Sequence, residues 1–365
     1  MAEPDSIDQV VALHDAALAA LGQGDLDTAR AHARAAVDAA VAVWGPNAPD
    51  VANVLLTCVA VEEEAGDFHS ARQFADRAAA AATDFADSDE PELVALWVDT
   101  EVACARLSST LGDFEGAERQ LSAALASALR VLPADDETVL SVHNMRGITA
   151  KYAGRFEDAQ KHYEAVRVVL EGRPEGDDAA LATLLHNLGG LAHSRGHIAE
   201  GVAHAQRGLQ LRIAAVGPDH PDVAKDLNAL GALHFDAGAS AAADSAYRRA
   251  LAIFENALGP DHYEVAMTCA NLAVSTAAAG HAAEARELYE RALAILRSCV
   301  GPGHPDVGLV QHNMAVLLAE QGDHDGAREL LISAEATLAD LPADHPRRRD
   351  VQATLSGLSA PADEQ

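Results

Sequence analysis

Residues 217–224 read GPDHPDVA, residues 259–266 read GPDHYEVA, and residues 301–308 read GPGHPDVG. These three segments begin 42 residues apart, and a fourth copy, GPNAPDVA, occupies residues 45–52. A segment that returns at a fixed period of this length is the signature of a repeat protein, in which every repeat is one small structural unit. The period therefore determines the fold more strongly than any single residue does.

A second set of glycines lies 21 residues before these segments and continues along most of the chain. The set is Gly24, Gly66, Gly112, Gly154, Gly196, Gly238, Gly280 and Gly322. Its spacing is 42 residues except for one step of 46, which an insertion of four residues around Ala86–Glu90 explains. Glycine tolerates a positive φ at a helix C-terminus. We therefore predict a helix before each glycine, called helix A, and a second helix after it, called helix B.

Small residues stand at fixed distances from these glycines. Five residues after the glycine, the eight repeats contain only alanine or glycine: Ala29, Ala71, Ala117, Ala159, Gly201, Ala243, Ala285 and Ala327. Seven residues before it, every repeat but one also has alanine or glycine, and Val59 is the exception. Helices that pack closely need small side chains where they touch. These positions therefore predict the contact between helices A and B of each hairpin.

The composition favours an all-α fold. Hydrophobic residues make up 49% of the chain but aromatic residues only 4%, and much of the apolar content is alanine, the best helix former. The β-branched and aromatic runs that strands need are missing.

The charge and the cysteines limit the possible partners and compartments. The formal net charge is -30, which argues against nucleic acid and anionic membranes as partners, because both require a basic surface. No apolar stretch is long enough to span a membrane, and the N-terminus lacks the basic residues of a signal peptide. The four cysteines are far apart and are expected to be small buried residues in a reducing compartment. We therefore predict a cytoplasmic protein, and the alanine-rich, acidic composition suggests a bacterial source.

Several polar clusters resemble functional sites, but each has a simpler interpretation. The histidines of the repeated loops (His220, His262 and His304) are expected to pack or hydrogen-bond locally at a helix start. Glu62–Glu64 is expected to be a solvated helix end, and Arg347–Arg349 a solvated helix start. His193 and His197 have the spacing of metal ligands on a helix, but Gly196 lies between them and should end the helix. No nucleotide-binding or catalytic motif occurs, so we expect neither cofactor nor metal.

The repeats resemble the tetratricopeptide repeat (TPR), a helical hairpin with small residues at these positions. The 42-residue period, the GPDHPDVA segments and the sequence NLAVSTAAAGHAAEARELYERALAIL (residues 271–296) are similar to the kinesin-light-chain variety of that family. The resemblance implies a right-handed α-solenoid, that is, a superhelix whose A helices line a concave groove that binds peptides or protein segments. The tyrosine that is usual four residues before the glycine is absent from most repeats, which loosens the match in detail.

The expected organisation is eight TPR-like repeats over residues 6–345, between a disordered N-terminus (residues 1–5) and a capping helix (residues 346–358). A solenoid needs a cap because each repeat buries its faces only against its neighbours. Val351, Leu355 and Leu358 have the helical spacing that such a cap requires. The last residues, 359–365, are expected to be frayed.

Amide, imidazole and basic side chains recur on one stripe of the A helices, which we expect to face the groove. Carboxamides can pair with both the N–H and the C=O of an extended peptide. They can equally bond a neighbouring helix and only stiffen the stack, so both interpretations stay open. The candidate peptide-binding residues are Asn144, Lys151, His186, Asn187, His193, Lys225, Asn228, Phe235, Asn271, His312 and Asn313.

The leading functional hypothesis is a non-enzymatic scaffold that binds a protein or peptide in this groove. The acidic surface favours a basic or amphipathic partner, and self-association stays open. The alternative is a regulatory sensor whose superhelix binds a small peptide or metabolite and thereby controls a partner protein. An enzyme is a third hypothesis, which would need a constellation of residues that no known motif describes.

Overall fold

A computed structural model describes residues 4–65, 67–173, 177–339, 341 and 345–359. The described residues form seventeen α-helices and one short 3-10 helix, with no strand among them. The first nine α-helices are α1 (Pro4–Gly22), α2 (Leu26–Trp44), α3 (Pro49–Glu64), α4 (Phe68–Ala82), α5 (Pro91–Thr110), α6 (Phe114–Val131), α7 (Glu137–Tyr152), α8 (Phe156–Gly172) and α9 (Asp178–Ser194). The others are α10 (Ile198–Val216), α11 (Pro221–Asp236), α12 (Ser240–Leu258), α13 (Tyr263–Ala278), α14 (Ala282–Cys299), α15 (Pro305–Glu320), α16 (His324–Thr337) and α17 (Pro346–Ser359). The all-α helical-repeat prediction is therefore confirmed.

The helices begin and end where the sequence repeats. Odd-numbered helices up to α15 are the A helices and even-numbered helices are the B helices. Gly154 follows helix A with a φ of 74°, and Gly259 ends helix B with a φ of 90°, a conformation that L side chains rarely adopt. Of the eight glycines between helices A and B, only Gly66 lies outside the described residues. His220, His262 and His304 are N-caps whose Nδ1 atoms accept a backbone N–H two residues on, as predicted.

The small residues lie at the predicted hairpin contact. The alanines five residues after the turn glycine are fully buried: Ala29, Ala71, Ala117, Ala159, Ala243, Ala285 and Ala327. Where the small residue of helix A is glycine, a tyrosine of helix B fills the space. A Cβ added to Gly147 would lie 2.3 Å from the Tyr163 ring, and one added to Gly231 would lie 2.6 Å from the Tyr247 ring.

The chain divides into two compact units, Met1–His197 and Ile198–Gln365. Within each unit, consecutive A helices contact one another, as α3 does α5 in the first unit and α11 does α13 in the second. No comparable contact joins consecutive B helices in the described part of the chain. Each unit therefore has the A helices on its inner, more closely packed side, and we call that surface the inner face.

Helix α17 closes the second unit. Val351 is buried, and Leu355 and Leu358 pack with it against α15 and α16. Arg347 Nη1 donates to Asp306 Oδ1 at 2.8 Å, and Arg348 Nη1 donates to the carbonyl of Leu341 at 2.8 Å. The prediction that these arginines form a solvated helix start is therefore wrong for Arg347 and Arg348.

The ends of the array differ slightly from the expected boundaries. Helix α1 begins at Pro4 and helix α17 continues to Ser359. Residues 1–3 and 360–365 lie outside the described residues, as do the last links before the cap at 340 and 342–344. No helix in the described ranges is long and apolar enough to cross a membrane.

Glu62 is buried rather than solvated, contrary to the sequence prediction. Its side chain lies between two arginines of α2 and accepts hydrogen bonds from Arg30 Nε and Arg34 Nη2, both at 2.8 Å. Glu63 pairs with Arg106 of α5. The partners lie 28 to 43 residues away in the sequence, so the run Glu62–Glu64 gave no local sign of them.

Candidate functional site

The inner face carries four rows of side chains, 13, nine or ten, six and three residues before the turn glycine. These positions are neighbours on one side of a helix, because they are spaced by three or four residues. All eleven candidate residues belong to the A helices, and most are half-buried. They fall into two groups that belong to different units, so each group is described separately.

Four of the candidate residues are used for hydrogen bonds between consecutive A helices. In the first unit, Asn187 Nδ2 donates to Asn144 Oδ1 at 2.6 Å. In the second unit, Asn228 Nδ2 donates to Thr268 Oγ1 at 2.8 Å, and His312 Nε2 lies 2.9 Å from Thr354 Oγ1 of α17. These partners are 40 to 43 residues apart in the sequence. The stack-stiffening interpretation therefore applies to these side chains.

Asn271 and Asn313 differ from the other candidate asparagines. Both are half-buried, and neither makes a side-chain hydrogen bond to any residue that the structure describes. Asn313 follows Asn271 by 42 residues, so the two amides occupy equivalent positions of α13 and α15. Asn228 is already bonded to Thr268 through its Nδ2 atom, but its Oδ1 atom is buried without a partner among the described residues. The inner face of the second unit thus presents amide groups that the fold itself does not use.

Apolar side chains flank these amides. Met267 and Val274 lie one turn before and one turn after Asn271 on α13, and Leu309 and Val316 have the same relation to Asn313 on α15. All four are half-buried. The surface is therefore a polar row between two apolar rows, which suits a segment that offers backbone polar groups along its axis and apolar side chains on its edges.

The remaining candidates of the second unit contribute less. Phe235 packs against Ala243, Tyr247 and Leu272, so its ring belongs mainly to the core. Lys225 is exposed, and its Nζ lies 3.7 Å from Asp222 Oδ1 on the same helix. An exposed pair of this kind contributes little to stability, so Lys225 stays available to a ligand.

Lys151 is the main cation on the inner face of the first unit. Its Nζ lies 4.4 Å from the centre of the Tyr152 ring and next to Gly190 of α9, which has no side chain to exclude it. It has no ion-pair partner among the described residues. His186 and His193 stand on the same side of α9 as Gly190, both half-buried and both engaged in other interactions.

Asp99 is an inner-face residue that the sequence analysis missed. Its side chain is exposed and has no ion pair in the parts of the chain described. Loss of hydration beside the neighbouring helices raises the pKa of Asp99 above its ordinary value. Its position 13 residues before the turn glycine was the available signal. A carboxylate of this kind favours a cationic group on a ligand.

The described residues contain no cluster of three or more metal-ligating side chains. Helix α9 ends at Ser194, and Gly196 follows with a φ of 75°, so His193 and His197 lie on opposite sides of the turn. Burial raises the pKa of Cys58 and of Cys104 to about 12 and that of Cys269 to about 11. These three thiols stay protonated and behave as small apolar groups.

Comparison with known sequences identifies one family. The chain matches the family described as "Tetratricopeptide repeat" over residues 8–84, 180–256, 241–298 and 264–340. Together these ranges span more than half of the chain. A search of the curated proteins finds no match.

Solved structures of low sequence identity share the fold. A signal transduction ATPase with a tetratricopeptide repeat sensor from Pyrococcus horikoshii is 13% identical, with a TM-score of 0.57 over 90% of this chain and 49% of that one. A Rap protein complexed with Competence and Sporulation Factor is 11% identical, with a TM-score of 0.56 over 96% of this chain and 98% of that one. A putative kinesin light chain from Podosopora anserina is 19% identical, with a TM-score of 0.38 over 66% and 93%.

Proposed function

Because the chain belongs to the tetratricopeptide repeat family, we propose that it is a non-enzymatic scaffold that binds a peptide or protein segment on its inner face. The fold is one that typically serves interaction and not catalysis. The observation that carries the proposal is the pair Asn271 and Asn313, whose amides have no hydrogen bond within the described structure. A polar group that is half-buried and unused by the fold is costly to keep, which supports a role in binding.

The spacing of these amides suits an extended peptide. Neighbouring packed helices are about 8–10 Å apart, and an extended chain advances about 3.3 Å per residue. Asn271 and Asn313 would therefore meet backbone groups about three residues apart. The apolar side chains of Met267, Val274, Leu309 and Val316 would contact the side chains of the ligand, so the amides supply affinity for backbone and the apolar rows supply selectivity.

The charge of the protein supports a basic or amphipathic segment as the partner. The net charge is -30, and Asp99 adds an unpaired carboxylate to the inner face of the first unit. Long-range attraction of a cationic segment would raise its association rate and would weaken with increasing salt.

Affinity capture from a lysate of the source cell, followed by mass spectrometry, tests the proposal. The site variant is Asn271→Ala/Asn313→Ala, and the matched control is Asn47→Ala/Asn256→Ala, which removes two exposed amides from a loop and from a B helix. Circular dichroism confirms that both variants are folded. The captured protein is then divided into overlapping synthetic peptides, whose affinities are measured by titration calorimetry.

We expect a peptide that binds the wild type and the control equally and binds the site variant about tenfold more weakly, as the loss of about two hydrogen bonds implies. Equal binding to all three proteins would contradict the placement of the site on α13 and α15. A partner that no peptide reproduces would contradict recognition of an extended segment.

The second candidate function is a regulatory sensor. The Rap protein of similar fold is complexed with Competence and Sporulation Factor, so a chain of this fold can carry a bound factor, although the low identity transfers no ligand. Repeats that contact only their neighbours can also change pitch together. Small-angle X-ray scattering separates the two functions: a change in radius of gyration on saturation with the peptide supports a sensor, and an unchanged radius supports a passive scaffold.

A further inference from the structure

The first helix of the array carries an apolar stripe that no described helix covers. Ile7, Val11 and Leu18 are 37%, 52% and 47% exposed, respectively, which is unusual for large apolar side chains that share one side of a helix. Helix α1 packs against α2 and α3, and neither helix covers this side. The stripe is a surface of the first unit and does not include any of the amide residues of the second unit.

The spacing of the stripe is that of a helix-pairing seam. Ile7, Val11, His14 and Leu18 are separated by four, three and four residues, the alternation of d and a positions in a heptad repeat. His14 is the polar member of this seam, and its Nε2 lies 2.7 Å from Thr57 Oγ1 of α3, which fixes the imidazole in place. A single polar residue in an apolar seam specifies the register of a partner helix.

The opposite end of the array shows that this exposure is not a general property of terminal helices. The outward side of α17 carries Arg349, Gln352 and Ser356, all exposed. A polar outer side is what a terminal cap requires for solubility. Helix α1 lacks such a side and presents branched apolar residues instead, so it has the character of an interface and not of a cap.

Charge distinguishes between the possible occupants of the stripe. Asp8 and Asp15 follow Ile7 and His14 directly, so both lie along the same edge of the seam. Both are exposed, and neither forms an ion pair in the described part of the chain. A second copy of this protein would bring its own Asp8 and Asp15 to this edge, where like charges repel. A helix with lysine or arginine along its edge would instead find opposite charges.

We propose that the Ile7–Leu18 stripe of α1 is a docking surface for an amphipathic helix that has an apolar heptad seam and a basic edge facing Asp8 and Asp15. The bound helix lies along α1 and forms a two-helix seam. The apolar side chains supply the affinity, and the two carboxylates select the sign of the partner's edge.

The test uses a fluorescent three-heptad peptide of about 21 residues with leucine at a and d and lysine at e and g. Binding is measured by fluorescence anisotropy at about 0.15 M salt, where diffuse attraction to the acidic protein is screened. The site variant is Val11→Glu/Leu18→Glu. The matched control is Val168→Glu/Ile332→Glu, which changes two equally exposed apolar residues of B helices and adds the same charge.

We expect the site variant to lose at least about tenfold in affinity and the control to stay within about twofold. The variant Asp8→Lys/Asp15→Lys should bind the lysine peptide more weakly and a glutamate-flanked version of it more tightly. Equal weakening by both glutamate pairs, or no binding to the wild type, would overturn the proposal. Sedimentation of the wild type as a dimer that Val11→Glu/Leu18→Glu dissociates would also overturn it, because a second copy would then occupy the stripe.

Discussion

At the scale of single residues, the hairpins depend on matched pairs of small and large side chains. Repeat four combines Gly147 with Tyr163, and the two are in contact because glycine leaves room for the ring. Repeat three combines Ala105 with Leu121 at the same two positions, and both are fully buried. The volume of a pair is therefore what matters, and each repeat satisfies it differently.

Gly147→Ala should destabilise the protein by about 1–3 kcal/mol, because the new methyl group overlaps the Tyr163 ring. The gain in helix propensity of up to about 1 kcal/mol offsets this only in part. Adding Tyr163→Leu should recover most of the loss, since that pair exists in repeat three. Urea unfolding measures both effects, with Gly172→Ala as the control, because no atom lies near its Cβ position. Similar stabilities for Gly147→Ala and the control would contradict the packing argument.

The pair His143 and His162 gives the protein an acid-sensitive site. Their Nδ1 atoms are 3.2 Å apart. Burial lowers the pKa of His162 to about 4, and Arg146 and His143 add to this effect, while Glu118 and Asp158 oppose it. An unfolded histidine has a pKa of about 6.5. The unfolded chain therefore binds more protons between these values, and stability falls as pH decreases from about 6.5 to about 4.

His162→Gln removes this titration while keeping a polar group beside His143. We expect the difference in unfolding free energy between wild type and variant to be constant above pH about 7 and to shift against the wild type below pH about 6. Urea unfolding at a series of pH values measures it. Parallel pH profiles for the two proteins would show that His162 is not held neutral in the fold.

At the scale of elements, the sequence predicts each helix, because the turn glycines and the small residues are local signals. It did not predict how the polar side chains of the A helices would be used. Asn144 bonds Asn187, but Asn228 bonds Thr268, because the register between neighbouring A helices decides which groups meet. Glu62 was mistaken for a solvated residue for the same reason: its partners Arg30 and Arg34 belong to another helix.

The hairpin contact of repeat seven offers a test of element packing. Ala285 is fully buried where α14 meets α13, so Ala285→Leu should cost about 1–3 kcal/mol through overpacking. Ala283→Leu is the matched control on the same helix, because Ala283 is exposed and leucine has nearly the same helix propensity. Thermal melting should separate the two variants, and coincident melting curves would place the contact elsewhere.

At the scale of the whole molecule, stability is passed between neighbouring helices and not through one shared core. The last link joins the array to its cap, where Asp306 accepts hydrogen bonds from Tyr263 of α13 and Arg347 of α17. Three repeat positions therefore meet at one buried carboxylate, and its loss of a partner is costly.

Arg347→Met should loosen the end of the second unit without affecting the start of the chain. We expect faster hydrogen–deuterium exchange in α15, α16 and α17 and unchanged exchange in α1 to α6. Arg349→Met is the control, because the neighbouring Arg349 is exposed and forms no ion pair with the described residues. Uniformly faster exchange over all helices would mean that the array unfolds as one cooperative body.

Site-specific photo-crosslinking tests the central claim, binding of a segment on the inner face, most directly. Val316→p-benzoylphenylalanine places the probe beside Asn313, and Ile332→p-benzoylphenylalanine places it on an exposed position of α16. Both proteins are irradiated in lysate of the source cell, and the adducts are sequenced by mass spectrometry. We predict that position 316 crosslinks to one contiguous segment of a partner and that position 332 does not. Crosslinking of that partner from position 332 alone would contradict the account.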